Sequence, residues 1–284
     1  MTSERKSLAE KILTINPKIV MIILLILLII PLAKPLALPL AISKNTKHFY
    51  EIIDSFNPGT KVLFSYIPTT ATMGDLCPPS VPVIYHLYTK QAKIYFVGVG
   101  VADGILTLID TQVFSTIPPQ RFGYKYGEDW CNLGFLAGGD ISWATFAKDI
   151  RAAVKFDRYG NPIDSLPMMK GINSIKDFDY VIHCGESITI LVRQWGDPYK
   201  MPLLVISTTA AVPMDVIPFY RTGQIYEYLG GLGAGAEYEK LVNRPGKAIA
   251  SVDAITLTHL FLIGIILLGN IVYSSVRLRG GKVR

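Results

Sequence analysis

Two long apolar segments, one near each end of the chain, constrain its fold more than any other feature. Residues 19–33 contain no charged side chain, and the continuation to residue 42 adds only Lys34. Residues 254–275 contain no Asp, Glu, Lys or Arg, and four basic residues follow between positions 277 and 284. A helix needs about 20 mostly apolar residues to cross the hydrocarbon core of a bilayer. Each segment is therefore predicted to form a transmembrane helix.

The prolines of the first segment divide it into two parts. Pro31, Pro35 and Pro39 disfavour a regular helix beyond about Ala33, so residues 19–42 are predicted to be a helix followed by an extended strap. A cleaved signal peptide is the competing interpretation, since an apolar run behind a basic region is typical of both. The basic region is long for a signal peptide, and we expect a retained anchor.

The charges flanking the apolar segments predict the topology. Residues 1–18 and 277–284 each contain four Lys or Arg residues and are predicted to be cytoplasmic tails. The second transmembrane helix is assigned to residues 252–276. Residues 43–251 then form the extracytoplasmic domain, and the protein crosses the cell membrane twice.

The central segment shows the alternation of strands and helices that is typical of α/β domains. Apolar, β-rich runs predict five strands, at residues 61–67, 93–99, 129–135, 178–184 and 203–207. A loop containing Cys77 is expected after the first strand, and amphipathic stretches between the other runs predict helices. This order predicts a mainly parallel five-stranded sheet, Rossmann-like or flavodoxin-like, between the two transmembrane helices.

Composition excludes several functional classes. Half of the residues are hydrophobic and the mean hydropathy is +0.35, so the chain is neither disordered nor a typical soluble domain. The net charge of +6 suggests nucleic-acid binding at first sight. Eight of the 28 basic residues and two of the 22 acidic residues lie in the tails, however, which leaves the rest of the chain neutral. No nucleic-acid partner is expected.

Two glycine-containing turns are candidate ligand sites, because ligands of parallel sheets bind where strands end and helices begin. Gly98 and Gly100 follow the second strand, and Asp103 can cap the next helix. Their spacing departs from the dinucleotide-binding pattern, and a tight turn explains them equally well.

The second turn, Gly138-Gly139-Asp140, precedes a helix and has main-chain N–H groups suited to an anion. Asp140 as the N-cap would occupy those donors itself. Anion binding and simple capping both remain open here.

A third glycine-rich segment contains Gly230, Gly231, Gly233 and Gly235. Each glycine within a helix costs about 1 kcal/mol relative to alanine, so a bare backbone must be needed there. Close packing, within the domain or against another copy, is the expected reason, and these residues are the predicted interaction site.

The segment His183-Cys184-Gly-Glu-Ser187 at the end of the fourth strand is the weak catalytic candidate. Cys184 or Ser187 would be the nucleophile, but adjacent strand residues point to opposite faces, so His183 cannot readily activate Cys184. The pattern Gly-x-Ser-x-Gly is absent. No metal-ligand spacing occurs, and neither a metal nor a cofactor is expected. Whether Cys77 and Cys184 form a disulfide remains open.

Three segments resemble an uncharacterised prokaryotic family of membrane proteins: Tyr126-Gly-Glu-Asp-Trp-Cys-Asn-Leu-Gly-Phe135, residues 163–171 together with Asp177-Phe-Asp179, and Gly230-Gly-Leu-Gly-Ala-Gly-Ala-Glu-Tyr-Glu239. The resemblance implies two transmembrane helices around an α/β domain and no established activity. A Cys at position 131, where the family has an apolar residue, argues against a shared catalytic role for it.

These observations favour a non-catalytic scaffold or interaction subunit of a membrane assembly. Its partners would be membrane lipid and either further copies of the chain or other membrane-protein subunits. The alternative is a small-molecule-binding or hydrolytic domain that uses the carboxyl edge of its sheet.

Overall fold

The computed structural model describes residues 15–278. The chain divides into two compact units: Pro39–Ile249, and a unit formed by its two ends, Met1–Leu38 and Ala250–Arg284. Most of the predicted cytoplasmic tails, residues 1–14 and 279–284, lies outside the described residues.

Six strands and ten helices of this region provide the labels used below. The strands are β1 (Lys61–Tyr66), β2 (Lys93–Val99), β3 (Trp130–Leu136), β4 (Tyr180–Cys184), β5 (Leu203–Ser207) and β6 (Glu227–Gly230). The helices are α1 (Pro17–Ala33), α2 (Lys44–Asp54), α3 (Met73–Thr89), α4 (Gly104–Phe114), α5 (Gly139–Lys148), α6 (Ile150–Ala153), α7 (Ile188–Leu191), α8 (Ile217–Arg221), α9 (Gly231–Leu241) and α10 (Lys247–Leu278). Short helical turns at Val192–Gly196 and Val212–Val216 precede β5 and α8.

The sheet has six parallel strands in the order β3-β2-β1-β4-β5-β6. The α/β class and the parallel arrangement agree with the sequence, and the order is that of a Rossmann-like sheet. The expected number of five strands is wrong. The sixth strand spans only Glu227–Gly230, pairs with β5 and leads directly into the glycine-rich segment, so it has too few residues for a recognisable pattern.

Both faces of the sheet are buried, which explains why the strands are apolar along their whole length. One face packs against a cluster that includes Trp143, Phe146 and Trp195. The other packs against a cluster that includes Phe49 and Tyr238. Successive strand residues therefore contribute to different cores.

Helix α3 begins earlier than expected and includes Cys77, which was assigned to a loop. It contains three prolines, of which Pro79 is buried against helix α9. A Cβ atom at Gly235 would lie 2.8 Å from Pro79 Cβ and 2.9 Å from Pro79 Cα. Gly235 thus permits the close contact of these two helices, whereas a Cβ at Gly233 would meet nothing within 4 Å.

Two carboxylates hold main-chain donors at the ends of the domain and of the second unit. Buried Glu239 accepts hydrogen bonds from the N–H groups of Gly246, Ala248 and Ile249, at 2.8, 3.0 and 2.8 Å, and so caps helix α10. Within the second unit, the carboxylate of Asp253 accepts three N–H groups from the Pro-rich strap, those of residues 36, 37 and 38.

One helix of the described residues is long and apolar enough to cross a membrane, the segment Lys247–Ser275 of α10. Helix α1 has the predicted extent but contains 17 residues and falls short of that test. The two-pass arrangement is therefore carried forward as a proposal.

We expect Gly235→Ala to lower the free energy of unfolding by about 1–3 kcal/mol, because the added methyl group overlaps Pro79. The control, Gly233→Ala, should leave stability unchanged or raise it by up to about 1 kcal/mol, since the helix gains propensity and no contact is lost. Denaturant unfolding of both variants measures the difference. Equal effects of the two substitutions would contradict the packing role of Gly235.

Candidate functional site

The strand order reverses between β1 and β4, and this is where a Rossmann-like sheet forms its ligand crevice. The loops that follow β1, β4 and β5 border the crevice on its carboxyl side. Their polar side chains decide whether a ligand finds free hydrogen-bonding groups there.

Asp75, on the first turn of α3, bonds to donors that an anionic ligand would otherwise use. Its carboxylate accepts the N–H of Thr209, after β5, at 2.7 Å and the N–H of Leu232, at the start of α9, at 2.8 Å. Main-chain N–H groups at a helix start attract anions. In this protein the anion is the chain's own carboxylate.

Gly231 is required by this contact. Its φ of +59° favours glycine, and a Cβ atom would lie 2.0 Å from Thr209 Oγ1 and 2.4 Å from Asp75 Oδ1. A Cβ at Gly230 would lie 3.2 Å from Val212. Gly230, Gly231 and Gly235 therefore serve packing inside the domain, and Gly233 is the member of the predicted interaction site with open space beside it.

A second polar contact links the loops after β4 and β5. The hydroxyl of Thr208 donates to Glu186 Oε1 at 2.7 Å, while the rest of the Glu186 side chain is exposed. This pair and the Asp75 contacts tie the crevice loops to one another. Sequence analysis did not identify Asp75, Glu186, Thr208 or Thr209, because their partners come from distant parts of the chain.

The weak catalytic candidates do not form a catalytic arrangement. Cys184 is fully buried, its thiol lies 3.7 Å from the carbonyl oxygen of Leu76, and burial raises its pKa well above the usual value. Ser187 precedes α7 and its side chain makes no capping hydrogen bond. Cys77 and Cys131 are also buried free thiols.

His183 lies on the opposite face of the sheet from Cys184, as the strand geometry predicts. Its Nδ1 is 3.0 Å from Ser65 Oγ, and its Nε2 is buried with no hydrogen-bond partner among the described residues. Burial lowers the pKa of His183 to about 3, so the ring is neutral at physiological pH. It is not positioned to activate a nucleophile.

The glycines that follow β2 serve packing and a turn. A Cβ at Gly98 would lie 2.4 Å from the side chain of Ile105, so its absence lets α4 approach the strand. Gly100 has a positive φ of +82°. Asp103 stands at the N-cap of α4 without a side-chain capping bond.

The turn that follows β3 borders a shallow cavity of about 280 Å³. Gly138 is the N-cap of α5, and the expected N-cap role of Asp140 is wrong: it lies in the first turn and makes no capping bond. Gly138 and Ser142 line the cavity together with apolar side chains, but none of the charged residues described does. Anion binding by Gly138, Gly139 and Asp140 stays a prediction.

Exposed apolar side chains are the feature of the carboxyl edge that sequence analysis missed. Four of them lie within the first three residues of the helical segments that follow β1, β2, β3 and β5: Met73, Leu106, Ile141 and Met214, with exposed fractions of 40%, 39%, 78% and 79%. Single exposed apolar residues are common, but four at one sheet edge indicate a contact surface. We call these four residues the apolar edge.

A further polar cluster lies at the amino end of β6. Glu227 is buried there and accepts hydrogen bonds from Asn45 Nδ2 at 2.7 Å and Tyr220 Oη at 3.4 Å. His48 Nδ1 lies 2.7 Å from its other oxygen, and the imidazole is largely exposed. This cluster satisfies a buried carboxylate at the sheet's edge strand.

Among the residues that the structure describes, no group of three or more His, Cys, Asp or Glu side chains is arranged to hold a metal ion. Comparison with known proteins finds no matching family model, no matching curated protein and no matching solved structure. The fold places the domain in the Rossmann-like α/β class. The resemblance to the two-helix membrane family stays a prediction.

The buried neutral imidazole predicts a pH dependence of stability. Unfolding raises the pKa of His183 from about 3 to about 6.5, so the unfolded chain binds the extra proton and stability falls with pH below about 6.5. Between pH 7.5 and pH 5.5 we expect this group to remove about 1.4 kcal/mol from the free energy of unfolding.

Denaturant unfolding of the wild type and of His183→Gln at both pH values isolates the contribution. The variant should lose less stability than the wild type over this interval. A wild-type loss no larger than that of the variant would mean that His183 is accessible to protons in the folded domain.

Proposed function

We propose that this protein is a membrane-anchored, non-catalytic interaction subunit that presents its α/β domain to a partner outside the cytoplasm. The observation that carries the proposal is the apolar edge, at the position where a ligand-binding Rossmann-like domain presents polar groups. Full burial of a Leu, Ile or Met side chain contributes about 1.5–3 kcal/mol. A partner that covers these side chains would gain that free energy.

The polar groups of the crevice support the same conclusion. The Asp75 carboxylate already accepts the main-chain donors at Thr209 and Leu232, so a ligand would have to displace it. The thiol of Cys184 is buried and protonated, and His183 lies on the other face. A binding partner that contacts apolar tips needs none of these groups.

The membrane anchors complete the proposal. Helix α10 contains an apolar segment long enough to span a bilayer. Helix α1 has 17 residues and is about 25 Å long, close to the thickness of a hydrocarbon core. The Asp253 contacts satisfy three N–H groups of the strap, which suits an extended segment at a membrane interface, where water is scarce.

We expect a double substitution in the apolar edge, Ile141→Asp with Met214→Asp, to dissociate the assembly. Native electrophoresis after extraction in mild detergent should show the wild type well above a 31.4 kDa monomer with its detergent. The variant should migrate as the monomer, because two charges in an apolar contact are costly to desolvate.

The matched control is Phe156→Asp with Tyr226→Asp, two apolar side chains that are 61% and 55% exposed outside the apolar edge. It should keep the wild-type size. A monomeric wild type with no co-purifying partner, or equal dissociation of both variants, would overturn the proposed function. The mass of the wild-type species distinguishes identical copies from other subunits.

The two-pass topology has its own test. Protease added to right-side-out spheroplasts should cut the exposed loop at Asn161 and leave both terminal tails intact, because the tails carry eight basic residues and face the cytoplasm. Antibodies against tags on each terminus report the fragments. Cleavage of the loop only in permeabilised spheroplasts would reverse the orientation, and loss of one tag in sealed ones would reduce the passes to one.

A further inference from the structure

A small cavity lies where the domain leads into helix α10. Its volume is about 110 Å³, far below the 300–1,000 Å³ of pockets for drug-sized ligands. Apolar side chains, one hydroxyl and two cationic side chains line it: Pro78, Val81, Pro82, Thr116, Arg244 and Lys247. The size suits a phosphate group with a few neighbouring atoms and excludes a nucleotide.

Arg244 is held in place without a counter-ion. Its guanidinium group lies 4.7 Å from the centre of the Tyr85 ring, which orients the planar group. No carboxylate lies within salt-bridge distance of it among the described residues. A preorganised guanidinium of this kind binds the oxygens of a phosphate through two parallel hydrogen bonds.

Lys247 supplies the second positive charge. Its ammonium group contacts only the amide oxygen of Gln112, at 3.2 Å, and no acidic side chain among the residues that the structure describes. The side chain is exposed and can turn towards a ligand in the cavity.

Glu239 also borders the cavity, but its charge is engaged elsewhere. Its carboxylate accepts the main-chain N–H groups of Gly246, Ala248 and Ile249 at the start of α10. The helix start is thus capped internally. Contacts to an anion in the cavity would come from the two cationic side chains.

The position of Lys247 selects the source of the phosphate. Lys247 is the first residue of α10, and the uncharged membrane segment begins at Ala254, about two turns or 10 Å further along the helix. If α10 spans the bilayer, as proposed above, Lys247 lies at the depth of the lipid headgroups.

We propose that this cavity binds the phosphate group of an anionic phospholipid, with Arg244 and Lys247 contacting the phosphate oxygens. Pro78, Val81 and Pro82 contact the adjoining glycerol carbons. The inference rests on the proposed membrane placement of α10 and adds a specific lipid to it. A bound lipid would fix the domain at the membrane surface.

Native mass spectrometry of the full-length chain in mild detergent tests the site. Titration with phosphatidylglycerol should give one retained lipid per chain, bound about tenfold or more tightly than phosphatidylcholine. Arg244→Gln with Lys247→Gln should reduce the affinity for phosphatidylglycerol to that for phosphatidylcholine. Lys247→Gln alone removes an exposed side chain, keeps the fold intact and should weaken binding severalfold.

The control is Lys44→Gln with Lys47→Gln, which removes the same charge from exposed positions that follow the Pro-rich strap. It should keep the wild-type affinity for phosphatidylglycerol. An equal loss in this control would show general surface electrostatics and overturn the site. Displacement of the lipid by millimolar inorganic phosphate would overturn the lipid as the source of the phosphate.

The membrane placement is checked separately by carbonate washing of membranes that contain the wild type. Release of the protein by carbonate would refute the anchors and with them the proposed function. A protein that resists carbonate but shows no preference for phosphatidylglycerol would refute the lipid site alone.

Discussion

Carboxylates that accept main-chain N–H groups hold the irregular parts of this protein in place. Asp75 binds donors after β5 and at the start of α9, Glu239 caps α10, and Asp253 holds the strap. Each hydrogen bond to a charged acceptor contributes about 1.5–3 kcal/mol. The loops that follow β5 and β6 and the approach to α10 have few apolar residues of their own, and they depend on these contacts.

This interaction also determines what the carboxyl edge can do. A helix start that already holds a carboxylate has lost its affinity for a phosphate, so the crevice of this Rossmann-like domain resembles a closed joint. The groups left for contact at this edge are apolar side chains, Ile141 and Met214 most of all. An interaction domain and a cation-lined cavity beside α10 fit that distribution better than a cofactor site.

Periodicity predicted five of the six strands, because buried parallel strands are continuous apolar runs such as those of residues 61–66 and 203–207. It also predicted opposite faces for His183 and Cys184. It missed β6, which has four residues, and the start of α3, where three prolines suggested a loop. Tertiary packing outweighed local propensity there, since Pro79 fills the space left by Gly235.

The sequence by itself determined the class of the domain, its apolar end segments and the need for a bare backbone around Gly231, because these follow from hydrophobic pattern and backbone sterics. Only the tertiary structure decided which groups meet. Asp75 and Leu232, or Arg244 and Tyr85, are far apart along the chain, and no local pattern specifies such pairs. The crossover connections of a parallel sheet bring them together, and charge, burial and open space at each place then define what it can bind.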